Sequence, residues 1–339
     1  MSSDAIAIDP DFYTMEREYR DDDWQSDTTS LASEVARGRV SEDYWSPSDE
    51  LQFEAYETGH IIFLLLDYTE DNPLHRAPIK SPKHILDIGT GKGSWAIDVA
   101  DMYPDANVRG VDLYPPPETW IPPNLVFEVD DVLQPWTWTT KFDLIYIRHL
   151  LGSFDREGWS TLYDRCFENL EPDGWIEQFE FDISVYSDDN SLPKDSILNQ
   201  WGDMWYPISE RAGRPFQVEK HMRADLEKAG FVDIKEVVYK VPLGPWARDP
   251  VLKELGLLHH QHWSKGLEGY CMYLLTNFGA PIPWTPSEVQ VFLAKTRAEL
   301  KNPKFHGYQF GRRIWARKPR PDELKKGATD HPIKLEQSI

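Results

Sequence analysis

The sequence predicts an α/β fold, a seven-stranded, mostly parallel sheet with helices on both faces. Three observations carry this prediction. Short apolar runs alternate with stretches whose apolar residues recur at helical spacing, the pattern of parallel strands joined by helices. A glycine turn, Gly89-Thr90-Gly91-Lys92-Gly93, joins the first of these strands to a helix. Carboxylates stand at the ends of successive strands, where a doubly wound sheet binds its ligands.

The core strands are expected at 84–89, 107–112, 125–130, 142–147, 175–181, 233–241 and 312–317. The run His84-Ile85-Leu86-Asp87-Ile88 is bounded by Pro82, and Trp95-Ala96-Ile97-Asp98-Val99-Ala100 shows the spacing of one helix face. Gly89, Gly91 and Gly93 therefore join a buried strand to a helix N-terminus, and their missing side chains allow a close backbone approach to a ligand. The second strand ends at Asp112, about twenty residues beyond the turn, where an acid accepts hydrogen bonds from a ribose. The third ends in Asp130-Asp131-Val132, and the fourth ends in Arg148 and His149.

A dinucleotide site would read GxGxxG, yet Ser94 and the bulky Trp95 follow Gly93. Asp87, just before the turn, disfavours a polyanion and suits a cationic ligand. The pattern of Asp87, the three glycines, Asp112 and the Asp130-Asp131 pair resembles the S-adenosylmethionine site of class I methyltransferases. Ile85–Gly91, Trp95–Asp98, Phe127–Asp131, Leu151-Gly152-Ser153, Asn169–Trp175 and Pro242–Trp246 together resemble the fungal LaeA-like methyltransferases, over about residues 30–319. Lys92 and Ser94 depart from that family's common threonine and isoleucine. The resemblance implies a Rossmann-like class I methyltransferase fold that uses S-adenosyl-L-methionine, yields S-adenosyl-L-homocysteine and needs no metal. It also implies that Asp87, Gly89, Thr90, Gly91, Gly93, Asp112, Leu113 and Arg148 belong to the cofactor site, with Asp130, Asp131 and Val132 at its adenine end. The family includes small-molecule enzymes and regulators of secondary metabolism.

Composition narrows the partners. The formal net charge is −21, so a generic phosphate-backbone binder is not expected. Residues 1–50 hold 14 acidic against 4 basic residues, which concentrates the imbalance in the N-terminal segment. Two distant cysteines, Cys166 and Cys271, give neither a disulfide framework nor metal-ligand spacing. The longest apolar run, Ile61–Leu66, is too short to span a bilayer and no charged-then-apolar leader is visible. The expectation is a soluble protein of the cytoplasm, with the nucleus as a further location.

Around the core, residues 1–29 read as a disordered acidic tail that offers a protein-partner segment. Residues 30–82 read as a helical cap segment with a long helix from about Glu50 to Tyr68, residues 83–245 as the core with a helical insert at 191–230, and residues 246–305 as a second helical cap. Residues 306–319 hold the final strand, set antiparallel beside the sixth, and 320–339 a flexible tail.

Tyr44, Trp45, His60, Trp205 and His259 are the candidate acceptor-pocket residues, although His60 also reads as a helix residue satisfied within its own packing. His149 is the candidate general base, because an imidazole titrates near neutral pH and the residue stands at the strand end that faces the transferred methyl in this class. The alternative is that His149 or Arg148 caps a helix or pairs with an acid such as Asp155. Trp136 and Trp138 read equally as adenine contacts or as packing. Glu177 and Glu180 are three apart on a strand and face opposite sides, so a paired-carboxylate mechanism is not expected. His259 and His262 share a helix face, but no third ligand supports a metal.

The function these readings predict is methyl transfer to a small, largely apolar acceptor of the secondary-metabolite type. A regulator acting through protein partners, or non-methylating chemistry in the same pocket, are the alternatives.

Overall fold

The computed structural model describes residues 5–12 and 50–323. Helix α1 (Glu50–Leu66) precedes strand β1 (His84–Ile88), and α2 (Ser94–Met102) leads to β2 (Asn107–Asp112). Strands β3 (Leu125–Val129) and β4 (Phe142–Arg148) are followed by α3 (Arg156–Asn169), β5 (Leu170–Phe181), α4 (Trp201–Arg211), a 3-10 turn at Val218–Lys220 and α5 (Met222–Ala229). Strand β6 (Val232–Pro242), α6 (Pro250–Phe278), α7 (Pro286–Leu300) and β7 (Tyr308–Arg317) complete the order.

The seven strands form one sheet in the order β3-β2-β1-β4-β5-β7-β6. The first five are parallel, and β7 runs antiparallel to both β5 and β6. The last strand thus lies inside the sheet, between β5 and β6, and leaves β6 at the edge. Residues 170–174, ahead of the strand expected at 175–181, also belong to β5, with a register shift opposite Phe142–Leu144.

Side chains of the central strands alternate between two buried layers. Ile85, Leu144 and Tyr146 pack with Trp95 and Val99 on one face, while Leu86, Ile88, Ile145 and Ile147 pack with Trp159 and Leu162 on the other. Covering both faces of a parallel sheet explains why these strands read as continuous apolar runs. Trp95 stacks flat on Tyr146 with ring centroids 3.9 Å apart.

The helices begin where side chains satisfy the free amides of a first turn. Asp155 accepts from Gly158 N at the start of α3, Asp249 accepts from Val251 and Leu252 N with Pro250 at the first turn of α6, and Thr285 and Glu288 form a capping box on α7. Each such cap contributes about 1 kcal/mol. Asp155 is therefore occupied by a helix terminus and not by His149 or Arg148. The end of β5, α1 and α6 meet at the carboxyl ends of the strands, where Ile62, Phe63 and Leu66 of α1 pack on Phe179, Phe181 and Tyr239.

Residues 5–12 depart from the expected disordered tail. Ile8 pairs with Ala247 in an antiparallel bridge, Asp9 N donates to Trp246 O at 2.9 Å, and the Asp9 carboxylate pairs with Lys253. At the other end, residues 320–323 of the expected flexible tail are also held: Glu323 accepts from Arg317 at 2.9 and 3.0 Å. Residues 30–49 of the expected cap segment, Tyr44 and Trp45 among them, lie outside the described residues.

Candidate functional site

The glycine turn is shaped by the strand beside it. Gly89 N and Thr90 N both donate to Val111 O, at 2.8 and 3.0 Å, and Gly91 N donates to Asp112 Oδ2 at 2.8 Å. Gly89 and Gly91 have φ of 70° and 57°, the left-handed region that favours glycine. A Cβ on Gly89 would stand 2.4 Å from Leu150 Cδ2, so an added side chain would have to displace the tip of Leu150. Gly93 lies at the N-terminus of α2, against Phe127.

Asp87 serves this turn from below. Its carboxylate accepts from Thr90 Oγ1 at 2.7 Å and the residue is buried, so it braces the loop and does not line the cavity above it. Burial raises its carboxyl to about 6, opposed by the Thr90 hydrogen bond. Asp112 stands at the open end of β2. One oxygen accepts from Gly91 N and the other from Tyr114 N at 3.2 Å, while burial pushes its carboxyl above the ordinary carboxylate range.

Two adjoining cavities share Gly89, Asp112, Leu150 and Ser153. The smaller, about 60 Å³, runs along Asp112, Leu113, Asp130, Asp131 and Val132. The larger, about 190 Å³, begins at Gly89–Gly91 and Arg148 and extends into a chamber walled by Phe181, Trp201, Trp205, His259 and Trp263. The wall residues come from β5, α4 and α6, and α1 closes the side with Tyr56 and Phe63.

His149 sits where these two halves meet, with φ 56°. Its backbone is held by His149 N donating to Phe179 O at 2.9 Å. The next two amides, Leu150 and Leu151, donate to the two carboxylate oxygens of Glu180 at 3.0 and 3.1 Å. Glu180 thereby fixes the bend that turns His149 into the cavity. The imidazole is wrapped by Phe181 and His262, and burial, with the nearby positive potentials of His262 and Arg148, pushes it down to about 3. An imidazole held so far below neutrality stays uncharged and is a weak proton acceptor, which argues against the general-base role expected from its type alone.

His60 points away from the chamber. Its Nε2 is 2.8 Å from Asp98 and its Nδ1 3.2 Å from Arg148 Nη1, so it links α1 to α2 and to β4. Arg148 lies over the Phe63 ring at 4.6 Å and lines the larger cavity. Lys92 is paired with Glu57 at 2.6 Å and Glu118 at 3.5 Å, which neutralises the charge beside the turn. Trp136 and Trp138 line neither cavity: their indoles donate to Val132 O and Glu128, and Trp138 packs edge-on to Phe142. Glu177 and Glu180 do face opposite ways, Glu177 toward Arg313 and Glu180 toward Leu150. Among the described residues no group of three or more His, Cys, Asp or Glu side chains is placed to hold a metal.

Tyr56, Phe63, Phe181 and His262 also line the chamber and were not among the candidate pocket residues. On α1 and α6 the one signal was aromatic and histidine content at helical spacing, which core packing would produce equally, and Phe181 stands on β5, where an apolar residue reads as core.

The family described as a methyltransferase domain matches residues 65–236. The secondary metabolism regulator LAE1 of Cochliobolus heterostrophus is 38% identical over 285 residues, covering 81% of this chain and 90% of that protein. The chain belongs to the LaeA-like class I methyltransferases. Its relatives in this family divide between enzymes and regulators. The methyltransferase pytC of Aspergillus terreus is 33% identical over 293 residues, covering 84% of this chain and 89% of that protein. The protein-methionine methyltransferase laeA of Emericella nidulans is 32% identical over 279 residues, covering 81% and 72%. Among solved structures, phosphoethanolamine N-methyltransferase 2 of Haemonchus contortus in complex with S-adenosyl-L-methionine superposes with a TM-score of 0.47 at 16% identity, over 87% of this chain and 61% of that one. The chain is an S-adenosylmethionine-dependent methyltransferase by family.

The donor set fits that cofactor. Asp112 offers carboxylate acceptors at a β2 terminus, as a ribose diol requires, and Asp130 and Asp131 stand at the end of β3 beside the apolar Val132. Gly89–Gly91 and Arg148 border the passage into the chamber.

Proposed function

We propose that this methyltransferase acts on a small, largely apolar acceptor of the secondary-metabolite type, held in the aromatic chamber. The observation that carries the reading is the continuity of the larger cavity from Gly89–Gly91 and Asp112 to Trp201, Trp205 and Trp263. S-Adenosylmethionine supplies a methyl group already activated on a sulfonium, so positioning can provide much of the catalysis. In this reading Asp112 and the glycine turn hold the nucleoside end, Asp130, Asp131 and Val132 the adenine, and Arg148 borders the amino-acid end. His149 orients the acceptor as a neutral ring, and the chamber excludes water from the reacting atoms.

Calorimetric titration with S-adenosylmethionine and S-adenosylhomocysteine tests the site, using the wild type beside Asp112→Ala and Gly91→Val. Saturable binding lost in both variants supports it, and labelled-methyl transfer into metabolite extracts then identifies the acceptor. A folded wild type that binds neither ligand sinks the reading.

A second reading, regulation through protein partners, is favoured by the acidic N-terminal segment and by relatives named as regulators. It carries with it a cytoplasmic protein that also reaches the nucleus, which a fluorescent fusion would test. Because residues 5–12 are docked, the informative change is an internal deletion of residues 13–29. Loss of a partner complex, with turnover absent in both forms, would favour the regulator. Unaltered small-molecule turnover would favour the enzyme.

A further inference from the structure

Three histidines meet in the chamber, and the hydrogen bonds of two of them fix which ring nitrogen carries the proton. His259 Nδ1 lies 3.0 Å from Pro242 O, and His262 Nδ1 lies 2.8 Å from Ala55 O. A carbonyl can only accept, so in each ring Nδ1 is the donor and, the ring being uncharged, Nε2 carries a lone pair. His262 Nε2 already faces the Tyr270 hydroxyl at 3.4 Å. His259 makes backbone hydrogen bonds to Pro242 and Val241, is 1% exposed and lines the larger cavity. Nδ1 is turned to the end of β6, which leaves Nε2 as the ring edge presented to the chamber.

The setting keeps that acceptor fixed. The His259 ring stacks on Phe181 with centroids 5.4 Å apart and an interplanar angle of 20°, and Trp263 stands edge-on to it. Among the described residues the titratable groups that bear on the ring are His262, His260 and, across the chamber, His149. Every one of these disfavours a positive His259, so the lone pair persists. An acceptor nitrogen on the wall of the chamber is one that a donor on the ligand can satisfy.

We infer that His259 is a specificity-determining residue whose Nε2 accepts a hydrogen bond from the acceptor substrate, and that this substrate is a planar, uncharged aromatic bearing an O–H or N–H group. The inference deepens the methyltransferase reading above and rests on it. Aromatic walls select a flat ring through burial and stacking. His259 selects the donor. A pocket built to hydrogen-bond a hydroxyl rejects the analogue that lacks it, because the pocket's own polar atom is left unpaired.

The test uses the full chain and two probe pairs, β-naphthol against its methyl ether and indole against N-methylindole, titrated calorimetrically with and without saturating S-adenosylhomocysteine. At least one donor-bearing probe is expected to bind about tenfold more tightly than its methylated partner, the size of one net hydrogen bond. The naphthol pair reads an O–H donor and the indole pair an N–H donor. In His259→Phe, which keeps a flat ring against Phe181, that preference should fall to near unity while S-adenosylhomocysteine affinity holds.

Equal affinities within both pairs in the wild type would overturn the inference without recourse to any variant. So would retention of the preference in His259→Phe, or failure of all four probes to bind a protein that binds S-adenosylhomocysteine. Absence of S-adenosylhomocysteine binding would instead count against the methyltransferase reading, and the probe pairs measured without it would still decide the role of His259.

Discussion

Arg313 Nη1 donates to Glu177 Oε1 at 3.0 Å with both side chains shut away from solvent. The other Glu177 oxygen accepts from the amides of Arg76 and Ala77 at 2.8 and 2.7 Å, so one carboxylate on β5 anchors both β7 and the segment that leads from α1 into the sheet. Arg313 Nε lies 3.3 Å from Asp67 Oδ2 without forming a hydrogen bond, which leaves Glu177 as its principal partner. Glu177→Gln should destabilise the protein by about 3 kcal/mol or more, because a buried guanidinium loses its counter-charge. Urea unfolding measures this, and a loss under about 1 kcal/mol would show that Asp67 suffices.

Gly89→Ala combines a left-handed φ with a Cβ that the tip of Leu150 must shift to accommodate. We expect a loss of about 1–3 kcal/mol in stability and a fall of at least about tenfold in S-adenosylhomocysteine affinity. Unchanged affinity in calorimetry would mean that the turn does not touch the ligand.

Lys92→Thr removes the ion pairs to Glu57 and Glu118, in which Lys92 and its partners are partly exposed. The change should cost less than about 1 kcal/mol, and the difference should shrink as salt is added. A large, salt-independent loss would contradict the reading of Lys92 as a surface clasp.

The buried histidines predict an acid limb in the stability profile. His259 is held at about 3 against an ordinary 6.5 by burial. Between those values the unfolded chain binds a proton that the folded protein refuses, so stability falls as the pH is lowered through the window and is fully retained above 6.5. Each such group contributes a slope of up to about 1.4 kcal/mol per pH unit. His259→Phe should flatten the acid limb by about one proton's worth in urea titrations at pH values within the window, and parallel limbs would refute this.

The Tyr146 hydroxyl is buried with no hydrogen-bond partner among the described residues, while its ring stacks on Trp95. Tyr146→Phe keeps the ring and removes an unsatisfied polar atom, so it should raise the melting temperature or leave it unchanged. A fall of several degrees would reveal a role for the hydroxyl.

Much of this architecture was legible in the sequence because its cause is local. The run Ile85-Leu86-Asp87-Ile88 is buried on both faces, and the glycines after it adopt backbone angles that other residues resist. Asp112 was found by spacing, since strand and helix lengths fix how far it lies from Gly91. What could not be read depends on contacts between distant segments. Nothing around Arg312–Arg317 says whether the strand lies outside β6 or between β5 and β6; the Glu177–Arg313 pair decides it across 136 positions. Asp87 is an acid at the expected place, but Thr90 turns it inward. His149 stands at the expected strand end, yet Phe181 and α6 bury its ring and remove the titration near neutrality that made it attractive. The docking of Ile8 on Ala247 depends on a partner 239 residues away in a chain segment otherwise marked only by its charge.

The interior position of β7 has a consequence for synthesis. β6 is joined to the sheet through β7, and β5 has its outer edge covered by the same strand. While the ribosome has released the chain only as far as α7, β5 presents a long apolar edge and β6 has no strand to pair with. Such an edge is open to pairing with other chains. The sheet is therefore complete only once β7 has been made.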